Sequence, residues 1–201
     1  MDRDAFFLGI PDSEFIREPG IPMTKNEIRV LSLSKMRLFE QAVVYDIGAG
    51  TGSLGIQCRL LFPGSQVYAV EKDPEAINLI KKNCRKFETE LNIIEGAAPW
   101  ALEALPSADS IFIGGSGGEL PGIILKCHKK LKAGRWMVLN TVTLNSGPQA
   151  YSILEKLGYE VEGLQVNISV CKSVGKSQLW QARNPVTIVS ARKGDKIDGA
   201  R

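Results

Sequence analysis

The chain of 201 residues contains a single histidine, His128. It lies in a basic helical stretch with Lys126, Lys129, Lys130 and Lys132, near the C-terminal end of that helix, where a cation is favoured. Ser-His-Asp and Cys-His catalysis are therefore weak candidates. Cysteines are few: Cys58, Cys84, Cys127 and Cys171 are widely spaced and form no C-x-x-C pair. Reduced thiols are the expectation, and zinc or iron–sulfur binding would need clustered ligands. Nor do carboxylates cluster as a metal site requires, so no metal is expected. Long apolar runs are missing as well, so no membrane span is expected. The start, Met1, Asp2, Arg3 and Asp4, mixes both charges and leads into no long apolar stretch, which argues against a signal peptide. Neither charge sign dominates: 25 Lys and Arg against 22 Asp and Glu give +3, too balanced to imply nucleic acid. With 44% hydrophobic and 23% charged residues the composition is globular. The length suits one domain over residues 24–193, with an N-terminal arm at 1–23 and a polar tail at 194–201.

Short apolar runs at residues 43–47, 66–71, 91–95, 110–113 and 136–142 predict strands. Helical patterns fall between and after them, at 53–62, 74–87, 99–105, 120–131 and 148–157. Near-continuous apolar strands alternating with helices mean a parallel sheet covered on both faces. Residues 159–170 and 179–191 read as two strands with only 171–177, including Gly175, between them, so they should pair antiparallel. The predicted class is α/β: seven strands, mainly parallel, closing in a C-terminal antiparallel hairpin. Ahead of the sheet, Thr24-Lys25-Asn26-Glu27 has capping-box spacing, with Thr24 as N-cap and Glu27 at the third helical position. Ile28, Leu31, Met36 and Phe39 then give an imperfect apolar face. Residues before Pro19 read as an extended arm. Trp100, Trp136 and Trp180 read as core or subunit contacts.

Chemistry concentrates where the first strand ends: Asp46-Ile47-Gly48-Ala49-Gly50-Thr51-Gly52-Ser53. A buried strand runs into a glycine turn and a helix opens at once, which offers free N–H groups to an anionic ligand and lets it approach the backbone. The dinucleotide pattern G-x-G-x-x-G would need glycine where Ser53 stands. The spacing G-x-G-x-G behind Asp46 instead resembles motif I of the class I S-adenosylmethionine-dependent methyltransferases. Asp46 either orients the turn or meets the cofactor amine. Glu71 ends the second strand 19 residues beyond Gly52. An acid there can accept ribose hydroxyls, because a carboxylate is a pure, charge-assisted acceptor; pairing with Lys72 is the plainer alternative. In Glu95-Gly96-Ala97-Ala98-Pro99 no acid follows the glycine, so a contact to the base would come from main chain at Ala97 or Ala98.

After the fourth strand comes Gly114-Gly115-Ser116-Gly117-Gly118. The Asn/Asp-Pro-Pro-aromatic pattern of enzymes that methylate nucleobase amines is absent. Such a loop can nest carboxylates or let a large flat substrate lie close; a flexible connector has the same composition. Asn140 and Thr141 end the fifth strand on the ligand side of such sheets. From Lys172 onward there are Lys172, Lys176, Arg183, Arg192, Lys193, Lys196 and Arg201 against Asp195 and Asp198. Arg183 stands beside Asn184-Pro185, and the end from Lys193 reads as a solvated basic tail.

Pro19-Gly20-Ile21-Pro22-Met23-Thr24-Lys25-Asn26-Glu27-Ile28-Arg29, the Asp46 turn, Glu95 to Pro99, Gly114 to Leu120 and Arg183-Asn184-Pro185-Val186 occur together in this order. The combination resembles the small, stand-alone precorrin methyltransferases of cobalamin synthesis, over roughly residues 15–190. The resemblance implies methylation of a meso carbon, C-15 of cobalt-precorrin-6B, with decarboxylation of the ring C acetate. It implies S-adenosyl-L-methionine as methyl donor and S-adenosyl-L-homocysteine as product, with contacts at Thr24, Gly48, Ala49, Gly50, Thr51, Gly52, Glu71 and Ala98. A tetrapyrrole substrate, a cytoplasmic location and a homo-oligomer, a tetramer, also follow from it, with no nucleic-acid or membrane partner. Substrate contacts are expected at Gly114, Gly115, Ser116, Gly117, Gly118, Asn140, Thr141, Arg183 and Asn184, with Arg183 the favoured contact for a carboxylate of the polycarboxylate substrate that the resemblance implies, and no catalytic side chain is singled out. Two rivals share the fold: an RNA or protein methyltransferase, and a nicotinamide-dependent oxidoreductase, against which Ser53 speaks.

Overall fold

The structure, a computed structural model, describes residues 9–195. Strands β1 (Val43–Ile47), β2 (Gln66–Glu71), β3 (Asn92–Glu95), β4 (Ala108–Ile113), β5 (Leu131–Thr141), β6 (Glu160–Val166) and β9 (Val186–Arg192) form one seven-stranded sheet. Its order is β3-β2-β1-β4-β5-β9-β6, parallel through β5, with β9 antiparallel to both its neighbours. The seven strands and the antiparallel closure match the sequence expectation. The closing strands differ in one respect. Each splits, and β7 (Ser169–Val174) pairs with β8 (Ser177–Ala182) as a separate two-stranded ribbon. The break is marked by Arg183 N–H donating to Ile168 O at 2.8 Å and by Pro185, which has no N–H for a ladder.

Strand alternation sorts the core into two layers. Tyr45, Ile47, Ile111 and Ile113 face α4 (Leu120–Lys130) and α5 (Ser146–Lys156), meeting Ile123, Ile124, Cys127 and Leu154. Val44, Phe112 and Val138 face the other way, onto Ile28 and Leu33 of α1 (Asn26–Lys35) and Leu54 and Cys58 of α2 (Ser53–Leu61). The third element on that side, α3 (Pro74–Lys86), begins with Pro74 behind Asp73, which accepts Glu75 N–H at 3.0 Å as an N-cap. The helix expected over 99–105 is only a short 3₁₀ turn, Trp100–Leu102. Cys58, Cys84 and Cys127 are buried free thiols and Cys171 is exposed; burial pushes Cys58 up to about 12 and Cys84 to about 11.

The arm departs most from expectation. Residues 12–14 form a 3₁₀ turn, and Ile10 and Phe15 are buried against Ile56, Ile80 and Phe87. The fully buried guanidinium of Arg29 gathers this segment. Its Nε donates to Gln57 Oε1 (2.7 Å), its Nη1 to Thr24 O (2.6 Å), and its Nη2 to Ile10 O, while it lies 4.9 Å over the Phe15 ring. Asp12 completes the cluster, 3.4 Å from Arg29 Nη1. Burial lowers the Arg29 pKa and Asp12 opposes that shift. From the other side Asn83 of α3 receives Ile16 N–H (2.8 Å) and donates to Ile16 O (3.1 Å) and Thr51 O (3.0 Å). The capping box does not form. The helix starts at Asn26 behind Lys25, one residue later than a Thr24 cap requires, with no side-chain cap bond at Lys25, and the Asn26 N–H is taken by Asp12 Oδ1 at 2.9 Å. The same helix ends at Lys35, before Phe39, and the chain turns at Arg37 with φ of 49°.

Candidate functional site

Two concavities open where the parallel strands end. The first, about 430 Å³, is lined by Gly48, Gly50, Glu71, Lys72, Asp73, Ala97, Ala98, Trp100 and the loop from Gly114 to Gly117. The second, about 760 Å³, is lined by Thr24, Lys25, Ile28, Asn140, Val166, Ile168, Val170, Lys172, Arg183 and Asn184. Pro22 and Gly114 belong to both, so the two spaces adjoin along that line. Both volumes lie in the range of small-molecule sites.

The first cleft is built by three loops held together through backbone. Gly48 N–H donates to Val70 O (2.9 Å), Gly96 N–H to Glu71 O (2.8 Å) and Gly114 N–H to Ile47 O (2.9 Å). Glu71 then bridges two of the loops with its side chain. Oε2 accepts Gly50 N–H at 2.9 Å, and Oε1 accepts the N–H groups of Lys72 (2.8 Å) and Asp73 (3.1 Å). A carboxylate offers about four lone-pair sites, so three amides leave it able to accept a hydroxyl as well. Gly48 has φ of +69°, and a Cβ there would lie 2.8 Å from both the N and O of Gly115. The turn and the glycine loop thus meet backbone to backbone, and only glycine permits it. The cradle that results, open backbone on two sides with an anchored carboxylate at the rim, suits a nucleoside with a polar tail.

The structure sorts the expected cofactor contacts. Gly48, Gly50, Glu71, Ala97 and Ala98 line the first cleft. Asp46 does not: it is 1% exposed and its Oδ2 accepts Gly55 N–H at 3.0 Å, so it anchors the helix beneath the turn. Burial raises its pKa to about 7, with the Gly55 N–H opposing and the nearby Glu71 charge adding. Thr51 and Gly52 are likewise buried under the turn, and Ala49 packs toward the arm. Thr24 lines the larger cavity instead.

Expected substrate contacts also divide. Asn140, Arg183 and Asn184 line the larger cavity, whereas Gly115, Ser116 and Gly117 line the first cleft and Gly118 neither. The glycine loop is therefore mainly a wall of the first cleft, because its strand lies beside β1 and returns onto Gly48. Thr141 points away from Asn140, as successive strand residues must, and its buried hydroxyl has no hydrogen-bond partner among the described residues. Asn140 Nδ2 donates to Ser32 Oγ (2.8 Å), which fixes it against α1. Trp100 and Trp180 are 70% and 77% exposed, so neither is core, and Trp136 lies under the Arg37 guanidinium at 5.9 Å. His128 Nδ1 sits 3.1 Å from Tyr159 Oη, in the last turn of α4. Lys193, read as part of a solvated tail, donates to His128 O and Leu131 O, and Arg192 pairs with Asp195. Met1 to Asp4, Lys196, Asp198 and Arg201 lie outside the described residues.

Sequence reasoning missed Pro22 at the junction, Lys25 in the larger cavity, and the polar clasp of Arg29 and Asn83, whereas Lys172, the first of the C-terminal cations, does line that cavity. One signal was available: Asn83 falls in the apolar stripe of α3 with Ala76, Leu79, Ile80 and Phe87, where a polar residue needs partners.

A family model described as a precorrin methyltransferase domain matches residues 16–193. A relative from Sulfurisphaera tokodaii, named a probable cobalt-precorrin-6B C(15)-methyltransferase (decarboxylating), is 45% identical over 188 residues, covering 92% of this chain and 97% of that one. Among solved structures, precorrin-6y C5,15-methyltransferase from Geobacter metallireducens superimposes with TM-score 0.87 at 38% identity, covering 93% and 99% of the two chains. Precorrin 8W decarboxylase from Methanobacterium thermoautotrophicum gives 0.84 at 32%, covering 90% and 98%. The fold is the Rossmann-like fold of class I methyltransferases.

Proposed function

We propose that this chain, which belongs to the precorrin methyltransferase family, methylates C-15 of cobalt-precorrin-6B and decarboxylates the ring C acetate side chain, whose carboxyl leaves as carbon dioxide while its methylene takes a proton and stays on the ring as a methyl. The observation that carries this reading is the shared wall: Pro22 and Gly114 border both the glycine-turn cleft and the larger cavity. A donor held in one and an acceptor in the other meet along that line.

When bound, S-adenosyl-L-methionine supplies a methyl group already activated on a sulfonium. The chain's task is then alignment, which can account for much of the barrier reduction. On this reading Glu71 accepts a ribose hydroxyl, Ala97 and Ala98 meet the base through main chain, and Gly48 and Gly50 let the tail approach the backbone; their lining of one cleft supports it. Asp46 acts from below, holding the turn on α2. Lys25, Lys172 and Arg183 give the larger cavity cations for a polycarboxylate, and Ile28, Val166, Ile168, Val170 and Val186 give it an apolar floor for a conjugated ring. No histidine, cysteine or tyrosine lines either space among the described residues. The nucleophile is an electron-rich ring carbon and the macrocycle itself can take up electrons as carbon dioxide leaves, so a strong protein base is not demanded.

A homo-oligomer, a tetramer, and a cytoplasmic location go with this reading. The β7–β8 ribbon supports the assembly: two strands alone are marginal in water, yet this pair holds Val174, Leu179 and Trp180 exposed. Light scattering of the purified chain should give a tetramer; a monomer at micromolar concentration would remove that part. For the reaction, purified protein with the ring intermediate and methyl-labelled S-adenosylmethionine should yield a product with one labelled methyl and one carbon dioxide fewer. An unchanged ring mass would reject the function.

A further inference from the structure

We propose that Glu27 is an internal stand-in for a substrate carboxylate, occupying Arg183 until the substrate exchanges for it. The proposal rests on the substrate class inferred above and names how the larger cavity selects it. Arg183 Nη1 lies 2.8 Å from Glu27 Oε2, linking the first turn of α1 to the segment that follows the ribbon, while the same arginine lines the cavity. Of the three cations on that wall, Lys172 has no ion-pair partner among the described residues, Lys25 faces Asp12 at 3.6 Å, and Arg183 faces Glu27.

The two carboxylates differ in how freely they can leave. Asp12 also caps Asn26 and contacts the buried Arg29, so releasing it would leave buried groups without partners. The Glu27 side chain has Arg183 as its single hydrogen-bonded partner among the described residues and acts on Arg29 only through space, and the Glu27 and Arg183 side chains are partly in water, 45% and 32% exposed. An exposed pair of this kind is weak. An incoming carboxylate can therefore take the guanidinium at small cost, whereas a neutral or cationic ring arm cannot. Glu27 thus competes for the guanidinium: it lowers the affinity of ligands that bring a carboxylate to that point and costs nothing to those that leave the pair intact.

Binding of uroporphyrin, an octacarboxylate porphyrin, measured by fluorescence on the full chain, tests this without the reaction. Glu27→Gln should tighten binding by about twofold to fivefold, the worth of an exposed ion pair. Arg183→Gln should weaken it by about tenfold, as loss of charge-assisted bonds does. The double variant should bind like Arg183→Gln alone, because no guanidinium remains to release. Glu103→Gln, which removes the same charge from the pair with Lys126 on α4, should change nothing, and a porphyrin with cationic arms should not gain from Glu27→Gln. Melting temperatures check that each variant is folded. Unchanged or weaker binding by Glu27→Gln overturns the proposal, and so does equal tightening in the Arg183→Gln background, which would mean a general field effect. Failure of the wild type to bind uroporphyrin also overturns it. If the wild type transfers methyl to the ring intermediate while Glu27→Gln fails to tighten, the exchange falls and the function stands. If uroporphyrin shows the exchange but no methyl reaches the ring intermediate, the exchange stands and the function falls.

Discussion

Replacing Gly48 by alanine probes the contact on which the first cleft is built. The added Cβ would stand 2.8 Å from the amide nitrogen and carbonyl oxygen of Gly115 and 2.9 Å from its Cα. Both sides are pinned: Gly48 N–H is bonded to Val70 O, and the neighbouring Gly114 N–H to Ile47 O. The left-handed backbone at Gly48 costs a non-glycine residue about 1–2 kcal/mol, and overpacking against backbone adds roughly 1–3 kcal/mol. A total of about 2–5 kcal/mol corresponds to a melting temperature lower by roughly 4–20 °C in a chain of this size. Since the strain is relieved by parting the two loops, affinity for S-adenosylhomocysteine should fall with it, by about tenfold or more. Gly115→Ala is the matched control. Its Cβ would sit 3.9 Å from the Gly48 Cα, an ordinary contact, so this variant should melt near the wild type. Calorimetry and thermal melts of both variants make the comparison. If Gly48→Ala melts and binds like Gly115→Ala, the backbone-to-backbone closure is wrong.

Glu71→Ala removes the acceptor shared by Gly50, Lys72 and Asp73 and should weaken S-adenosylhomocysteine binding by about 1.5–3 kcal/mol, read by titration calorimetry; unchanged affinity would exclude it from the cofactor site. Asp46 ionises at about 7 in the fold against 3.8 in its unperturbed form, so the native state holds its proton more tightly. The sign follows: stability from this group is complete below pH of about 4 and is lost as pH rises through about 7. Asp46→Asn, which cannot ionise, should therefore gain relative to wild type in melts at pH 8 compared with pH 5; a difference that does not vary with pH contradicts this. Arg29→Met should destabilise by roughly 3–5 kcal/mol in denaturant titrations, since Asp12, Gln57 and two arm carbonyls lose their donor. Asn83→Leu should cost about 2–4 kcal/mol and expose the Ile16 amide to hydrogen exchange, whereas retained protection would show that the arm does not depend on it.

How much was legible in the sequence depends on how local the cause is. Strands β1 and β2 fall where the apolar runs put them, because Gly48 and Asp73 mark their ends through backbone chemistry nearby. The long closing strands were not divided, since Ile168 and Arg183 meet across the ribbon and nothing local says that they do. Thr24 and Glu27 have the spacing of a cap, yet the helix starts one residue later, behind Lys25, Asp12 takes the Asn26 N–H from outside it, and Glu27 turns to Arg183, far away in sequence. Within the site, Glu71 and Gly50 were readable as a strand end and a turn. The side of the glycine loop was not, because it is set by β4 lying beside β1. Thr141 lies off the larger cavity for a simpler reason: adjacent strand positions face opposite ways, so Asn140 and Thr141 do not line one wall.

The place of the methyl donor decides the roles of both cavities. A crystal structure of the chain with S-adenosylhomocysteine addresses it most directly. Density for the nucleoside is expected between Gly48, Glu71 and Ala98, with the sulfur at the opening bordered by Pro22 and Gly114. Density in the cavity of Arg183 and Asn140, or away from the glycine turn, would contradict that placement and the reaction built on it.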